Sequence, residues 1–149
     1  NVIAVDLSPT LVELARERLP ADLGKGKIGF HVGDMLDERF GEFDFVVSMD
    51  SLIHYDAPDI VDALSALSAR TFGPILFTFA PRTPALTAMH TVGKVFPKKD
   101  RAPAIQPVGE ARLRRLIGER ATLAGWTPRR TERVASGFYT SQAMELRPS

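Results

Sequence analysis

The stretch Val2-Ile3-Ala4-Val5-Asp6-Leu7-Ser8-Pro9 decides the fold. Val2 to Val5 is a short, wholly apolar run closed by an acid, the pattern of a parallel strand covered on both faces with a carboxylate at its C-terminal end. Ser8-Pro9 follows as the cap and first-turn proline of a helix, and Leu11, Leu14, Ala15 and Leu19 mark its apolar face as far as Pro20. Outward from this unit the order repeats. Ile28 to Val32 predicts a second strand ending in Gly33-Asp34, and Phe43 to Met49 a third ending in Asp50. Asp56 and Pro58 open a helix whose Ile60, Val61, Leu64 and Leu67 share a face, and Gly73-Pro74 leads into a strand over Ile75 to Phe79, stopped by Pro81. Such alternation predicts an α/β domain with a parallel sheet.

From Thr83 to Val108 the pattern loosens. A short helix around Leu86 to Val95, followed by Phe96-Pro97-Lys98-Lys99-Asp100-Arg101-Ala102-Pro103, suits a loop or lid over a site better than core. Leu113, Leu116 and Ile117 predict a helix over Gly109 to Leu123 with Gly125 as its stop, and Arg112, Arg114, Arg115 and Arg120 beside that face read as surface. Thr127 to Val134 and Phe138 to Leu146, joined across Ala135-Ser136-Gly137, predict a closing antiparallel hairpin. With no internal repeat and no boundary signal, residues 1–149 read as a single domain.

The composition fits. The chain has 149 residues, 44% of them hydrophobic and 25% charged, which describes a folded domain rather than a disordered segment. Nineteen Lys and Arg against 18 Asp and Glu leave a formal charge of +1, so there is no bulk attraction to nucleic acid or acidic membranes. Zero cysteines exclude disulfides, thiolate metal sites and a cysteine nucleophile within this stretch. No apolar run approaches the roughly 20 residues of a membrane span, and no signal peptide is read. Opening directly on a strand residue, the sequence reads as a fragment.

Asp6, Asp34 and Asp50 each stand at or just past the carboxyl end of a predicted parallel strand, the edge where ligands bind in open α/β sheets. Asp6 fits a ribose, because two vicinal hydroxyls match one carboxylate. Asp34 could accept from an adenine amine while the N–H of Met35 meets a ring nitrogen. The alternative is that all three merely cap helices or loops. Gly24-Lys25-Gly26-Lys27-Ile28-Gly29 matches a dinucleotide-binding glycine string, but it follows a helix and enters a strand, so it reads as a solvated turn. A genuine glycine loop belongs about 20 residues before the ribose acid, which falls before residue 1. His54 and Tyr55 follow the third strand and would face a cleft, whereas His31 and His90 read as structural. No metal-ligand spacing and no G-x-S-x-G occur. Arg82, Lys94, Lys98, Lys99 and Arg101 beside Val95 and Phe96 suit an apolar ligand carrying carboxylates better than DNA.

Val5-Asp6-Leu7-Ser8-Pro9, Gly33-Asp34-Met35 and Phe43-Asp44-Phe45-Val46-Val47 together resemble the part of a class I S-adenosylmethionine-dependent methyltransferase that follows its glycine loop. Met49 to Tyr55, Phe77 to Thr83, Gly93 to Pro97 with Asp100 to Ile105, and Gly137 to Ala143 are similar to the magnesium-protoporphyrin IX O-methyltransferases of chlorophyll and bacteriochlorophyll synthesis. The resemblance implies a Rossmann-like sheet, mostly parallel with a C-terminal antiparallel hairpin, lacking here the first strand and glycine loop. It implies methyl transfer from S-adenosylmethionine to a propionate of magnesium-protoporphyrin IX, with the Mg²⁺ carried by the substrate and no protein metal site. Asp6 would then hold the ribose, Leu7 and Met35 flank the adenine, Asp34 take its amine, and Met49, Asp50 and Ser51 line the methionine end. His54 and Tyr55 would orient the porphyrin, His54 either as an axial Mg²⁺ ligand or by plain positioning, and Arg82, Lys94, Phe96 and Arg101 would bind it. A cytoplasmic location follows, with peripheral contact to a photosynthetic membrane and to tetrapyrrole-pathway enzymes such as the magnesium chelatase. The alternatives are a non-catalytic truncated remnant, a dehydrogenase half, or another class I small-molecule methyltransferase. Residues 1–149 alone are expected to bind the methyl donor weakly or not at all.

Overall fold

The computed structural model describes residues 1–83, 105–136 and 139–149. The expectations for Lys94, Phe96, Arg101, His90 and the helix around Leu86 to Val95 lie outside the described residues. The chain divides into two compact units, 1–41 and 42–149.

In the first unit, strand β1 (Val2–Asp6) leads through Ser8 into helix α1 (Pro9–Glu17), and strand β2 (Ile28–Val32) pairs parallel with β1, from Val2 opposite Ile28 to Asp6 opposite Val32. Ser8 is the helix cap, its hydroxyl accepting the Leu11 N–H at 3.3 Å. The expected apolar face of α1 needs correction. Leu11 is exposed and Val12 is the buried residue of the helix, Leu14 and Ala15 are half-buried, and Leu19 lies beyond the helix end at Glu17. Strand β1 is not covered on both faces either. Val2 is 55% and Ile3 43% exposed, since two strands and one nine-residue helix cannot enclose a strand on both sides. The glycine string is the turn it was read as: Gly24 has φ +59°, Gly26 donates to the Leu23 carbonyl, and β2 follows. His31 meets the Phe40 ring edge-on at 5.4 Å, a packing role.

The second unit is a four-stranded sheet in the order β3-β4-β6-β5, with β3 (Val46–Ser48) and β4 (Ile75–Phe79) parallel, and β6 (Tyr139–Pro148) antiparallel to both β4 and β5 (Trp126–Ser136). Parallel and antiparallel ladders are equal in number among the described residues. Because the hairpin strands run to 11 and 10 residues, the antiparallel share is larger than strand-helix alternation suggests. β3 is shorter than the predicted Phe43 to Met49. Its partner is interrupted by Gly73-Pro74, where proline has no N–H to give and Gly73 passes so close to the Asp44 carbonyl that a Cβ would lie 2.3 Å from it. Phe43 instead forms an isolated bridge with Thr71.

One face of this sheet is sealed. Ile75, Phe77 and Phe79 of β4 and Met144 and Leu146 of β6 are fully buried, as are Ile60, Val61, Leu64 and Leu67 of helix α2 (Ala57–Ser68) and Leu113 and Ile117 of helix α3 (Glu110–Glu119). The opposite face carries Val47, Leu76 and Val134, all substantially exposed. Helix α3 ends at Glu119, four residues before its predicted limit at Leu123: Arg120 is extended, pairs with Asp62 of α2 at 2.5 Å, and a separate 3-10 turn covers Ala121–Leu123.

Arg114 is not a plain surface residue. It pairs with Glu110 at 2.8 Å and also donates to the carbonyls of Pro128 and Arg129, at the register shift in β5, tying α3 to the hairpin. The same Glu110 accepts from Gln142 and Thr131. The Arg114 hydrogen bond foremost, then Gln142, the Arg114 charge and Thr131, outweigh burial and hold the Glu110 carboxyl below its ordinary value. A depressed folded-state value stabilises the fold above the ordinary value and loses that contribution as pH falls through the lowered one. Glu110→Gln is therefore expected to flatten the loss of thermal stability on acidification below about pH 4.5. Thermal midpoints between neutral and acid pH check this, and parallel curves for the two proteins would refute it.

Candidate functional site

In the first unit, two carboxylates stand where the parallel strands end. Asp6 Oδ1 accepts the Ser8 N–H at 2.7 Å, and the Asp6 carbonyl accepts the Gly33 N–H at 3.0 Å. The acid thus shapes the turn with one oxygen and presents the other to solvent. Leu7 beside it is 74% exposed, an apolar side chain available to a flat ring. Asp34 repeats the arrangement, with Oδ1 accepting the Leu36 N–H at 2.8 Å. Met35 next to it is half-buried. Capping and ligand binding are compatible here, since each carboxylate keeps an oxygen outside its turn bond. An exposed carboxylate pair beside Leu7 and Met35 fits the hydroxyls and amine of a nucleoside.

In the second unit, the chain leaves β3 through Met49, Asp50 and Ser51 into a 3-10 turn at Leu52–His54. Met49 is 70% exposed and Ser51 is exposed, its hydroxyl donating to the Met49 carbonyl at 3.2 Å. Asp50 has φ +54°, left-handed backbone that costs a non-glycine residue on the order of 1 kcal/mol even where aspartate tolerates it. Its N–H donates to Thr78 Oγ1 at 2.7 Å, and its Oδ1 accepts from Thr78 at 3.2 Å and from Ser141 at 3.5 Å. Sequence reading placed Asp50 against a ligand and did not single out Thr78 or Ser141 individually. The available signal was a hydroxyl in the otherwise apolar Ile75–Phe79 strand.

Leu52 is fully buried and plugs the turn into the core, and the Ile53 carbonyl accepts the Gln106 N–H at 2.8 Å. His54 is half-buried with Nδ1 shut away from solvent and without a hydrogen-bond partner among the described residues. Tyr55 is half-buried beside it, its N–H donating to Leu52. Arg82 is exposed at the end of β4, its N–H bonded to the Val108 carbonyl at 2.9 Å, so residues 82 and 108 are joined at that strand end. A cavity of about 250 Å³ opens on the exposed sheet face, lined by Val47, Met49, Leu76, Thr78, Val134 and Ser141 among others. Among the described residues no cluster of three or more His, Asp or Glu could hold a metal ion, and no helix is long and apolar enough to cross a membrane.

These features have counterparts of known family. The family described as "Magnesium-protoporphyrin IX methyltransferase C-terminus" matches residues 48–148, and a general methyltransferase domain matches residues 1–71. The magnesium-protoporphyrin O-methyltransferase of Rhodobacter capsulatus is 46% identical over 148 residues, 99% of this chain and 62% of that protein. The protein of the same name from Synechocystis is 26% identical over 97% of this chain and 61% of its own length. A crystal structure of the Synechocystis magnesium protoporphyrin IX methyltransferase with bound SAH superposes with a TM-score of 0.76, at 26% identity, over 99% of this chain and 64% of that one. The chain thus spans less than two thirds of these relatives, and its fold is that of class I methyltransferases, with mixed parallel and antiparallel strands as expected for the C-terminal hairpin. Since the match at 48–148 takes in the Met49–Tyr55 turn, α2, β4, α3 and the hairpin, the chain belongs to the magnesium-protoporphyrin IX methyltransferase C-terminus family.

Proposed function

We propose that the protein transfers a methyl group from S-adenosylmethionine to a propionate carboxylate of magnesium-protoporphyrin IX, giving the monomethyl ester. The observation that carries this reading is the 46% identity to the Rhodobacter capsulatus enzyme over 148 residues. The binding of SAH by the Synechocystis structure supports the methyl donor.

The chemistry asks little of the protein. A propionic acid titrates near 4.3, so the acceptor is already anionic at neutral pH and needs no base. S-adenosylmethionine supplies a methyl on a sulfonium: a carboxylate oxygen forms the new C–O bond, the C–S bond breaks, and its electron pair stays on sulfur as S-adenosylhomocysteine. Catalysis then reduces to orientation and a dry, shaped environment. In this reading Asp6 accepts from the ribose hydroxyls, Asp34 from the adenine amine, Leu7 and Met35 flank the base, and Met49, Asp50 and Ser51 line the methionine end. His54 and Tyr55 orient the porphyrin. The His54 Nδ1, buried and without a partner among the described residues, supports that role, because a buried polar atom left unpaired costs about 1–3 kcal/mol and a ligand can complete it. The exposed Arg82 would pair with a propionate, and Lys94, Phe96 and Arg101 belong to the same proposal. So do a cytoplasmic location, peripheral membrane contact and contact with the magnesium chelatase.

The donor half is tested by calorimetry on the protein as its gene encodes it. Asp6→Ala removes a charge-assisted contact worth about 1.5–3 kcal/mol and should weaken S-adenosylhomocysteine binding by roughly one to two orders of magnitude. The thermal midpoint should move little, because the turn keeps the Ser8 cap. Unchanged affinity would remove Asp6 from the site, and binding of a nicotinamide dinucleotide in place of S-adenosylhomocysteine would favour a dehydrogenase.

A further inference from the structure

We propose that Thr78 and Ser141 are positioning residues for the transfer: through the carboxylate of Asp50 they lock a left-handed turn and so fix the direction in which Ser51 to Tyr55 leaves β3. This rests on the reading of His54 and Tyr55 as the groups that orient the acceptor.

The turn is held at three points by different elements. Leu52 sets its depth by complete burial, and the Gln106 N–H holds the Ile53 carbonyl at 2.8 Å. The first point is Asp50, at φ +54°, where glycine would adopt the conformation without help. An aspartate is used instead, and two hydroxyls converge on it. Thr78 Oγ1 accepts the Asp50 N–H and returns its own proton to Oδ1, using a donor and an acceptor of one hydroxyl on one residue. Ser141, 6% exposed on β6, donates to the same oxygen. Packing alone gives no reason for a hydroxyl at 78, since valine has the same shape and the rest of β4 is Ile75, Leu76, Phe77 and Phe79. The hydroxyl instead makes backbone and side chain of Asp50 turn together. A turn clamped at its exit resists being swung by a bulky ligand, and misplacing a reacting group by about 1 Å can cost a hundredfold in rate.

The test measures kcat and KM for magnesium-protoporphyrin IX, S-adenosylhomocysteine affinity and the thermal midpoint, on the protein as its gene encodes it, well below that midpoint. Thr78→Val keeps the shape and removes the hydroxyl, Thr78→Ser keeps the hydroxyl, and Asp50→Gly keeps the backbone conformation and removes the carboxylate. Thr78→Val should lower kcat about tenfold to a hundredfold with donor affinity within about twofold, Asp50→Gly should lower kcat at least as far, and Thr78→Ser regains most of the rate. Ser141→Ala, with the longer contact, should fall between wild type and Thr78→Val. A wild-type rate in Thr78→Val, or a Thr78→Ser as slow as the valine variant, overturns the clamp while leaving the proposed reaction standing. If Thr78→Val does not fold, Thr78→Ala read against Thr78→Ser decides by the same criteria: a slowed rate with unchanged donor affinity supports the clamp and a wild-type rate overturns it. Absence of methyl transfer in the wild type overturns both proposals.

Discussion

His54→Ala is expected to slow methyl transfer to magnesium-protoporphyrin IX roughly a hundredfold while S-adenosylhomocysteine affinity stays nearly constant. The ring stands on a turn plugged by Leu52, and its buried Nδ1 has no partner among the described residues, so the side chain is held in place without its polar needs being met within the fold. Removing it deprives the acceptor of a fixed neighbour. A general base has no proton to take from an anionic carboxylate, so loss of rate must come through orientation or through the metal. Comparing the same porphyrin with and without Mg²⁺ separates those two. A His54→Ala penalty that shrinks for the metal-free substrate indicates axial ligation, and an equal penalty indicates plain orientation. Full rescue by added imidazole regardless of metal would restore general-base catalysis and defeat the argument.

The largest structural effect is expected at Phe77. It is fully buried at the middle of β4, opposite Ser48 of β3 and Met144 of β6, with its ring 6.2 Å from that of Phe79. Phe77→Ala should cost about 3–5 kcal/mol, a large part of the roughly 5–15 kcal/mol that stabilises an ordinary domain. The single tryptophan, Trp126 of β5, lies in the same unit and reports its unfolding. Urea titration followed by its fluorescence should show a much lower midpoint at an unchanged slope. A loss below about 1 kcal/mol would mean that the sealed face of the sheet is not the core.

Where hydrophobic spacing and punctuation agreed, the sequence was legible to the residue. Ile28–Val32 and Ile75–Phe79 form over their predicted spans, and the four residues assigned to one face of α2 are all buried, because proline, glycine and a capping aspartate bound each run. Legibility failed where a tertiary neighbour decided. β3 is cut short by the close passage of Gly73, and in α1 Val12 rather than Leu11 is buried. Arg114 was read as surface because the carbonyls it caps belong to a strand irregularity that composition does not reveal. At the candidate site, acids at strand ends were readable from position, and Asp6 and Asp34 stand there. Asp50 stands there too, but its turn to Thr78 and Ser141 depends on which strands become neighbours, and Ser141 is 91 residues away along the chain.

The central claim is that a porphyrin propionate is the methyl acceptor, and product analysis tests it most directly. The protein as its gene encodes it is incubated with methyl-labelled S-adenosylmethionine and, in separate reactions, with magnesium-protoporphyrin IX, with its dimethyl ester, and with a catechol as the hydroxyl acceptor of a different small-molecule methyltransferase. Label is expected in a base-labile monomethyl ester of magnesium-protoporphyrin IX, and none in the dimethyl ester or the catechol. Label on the catechol, with the porphyrin carboxylates untouched, would contradict it.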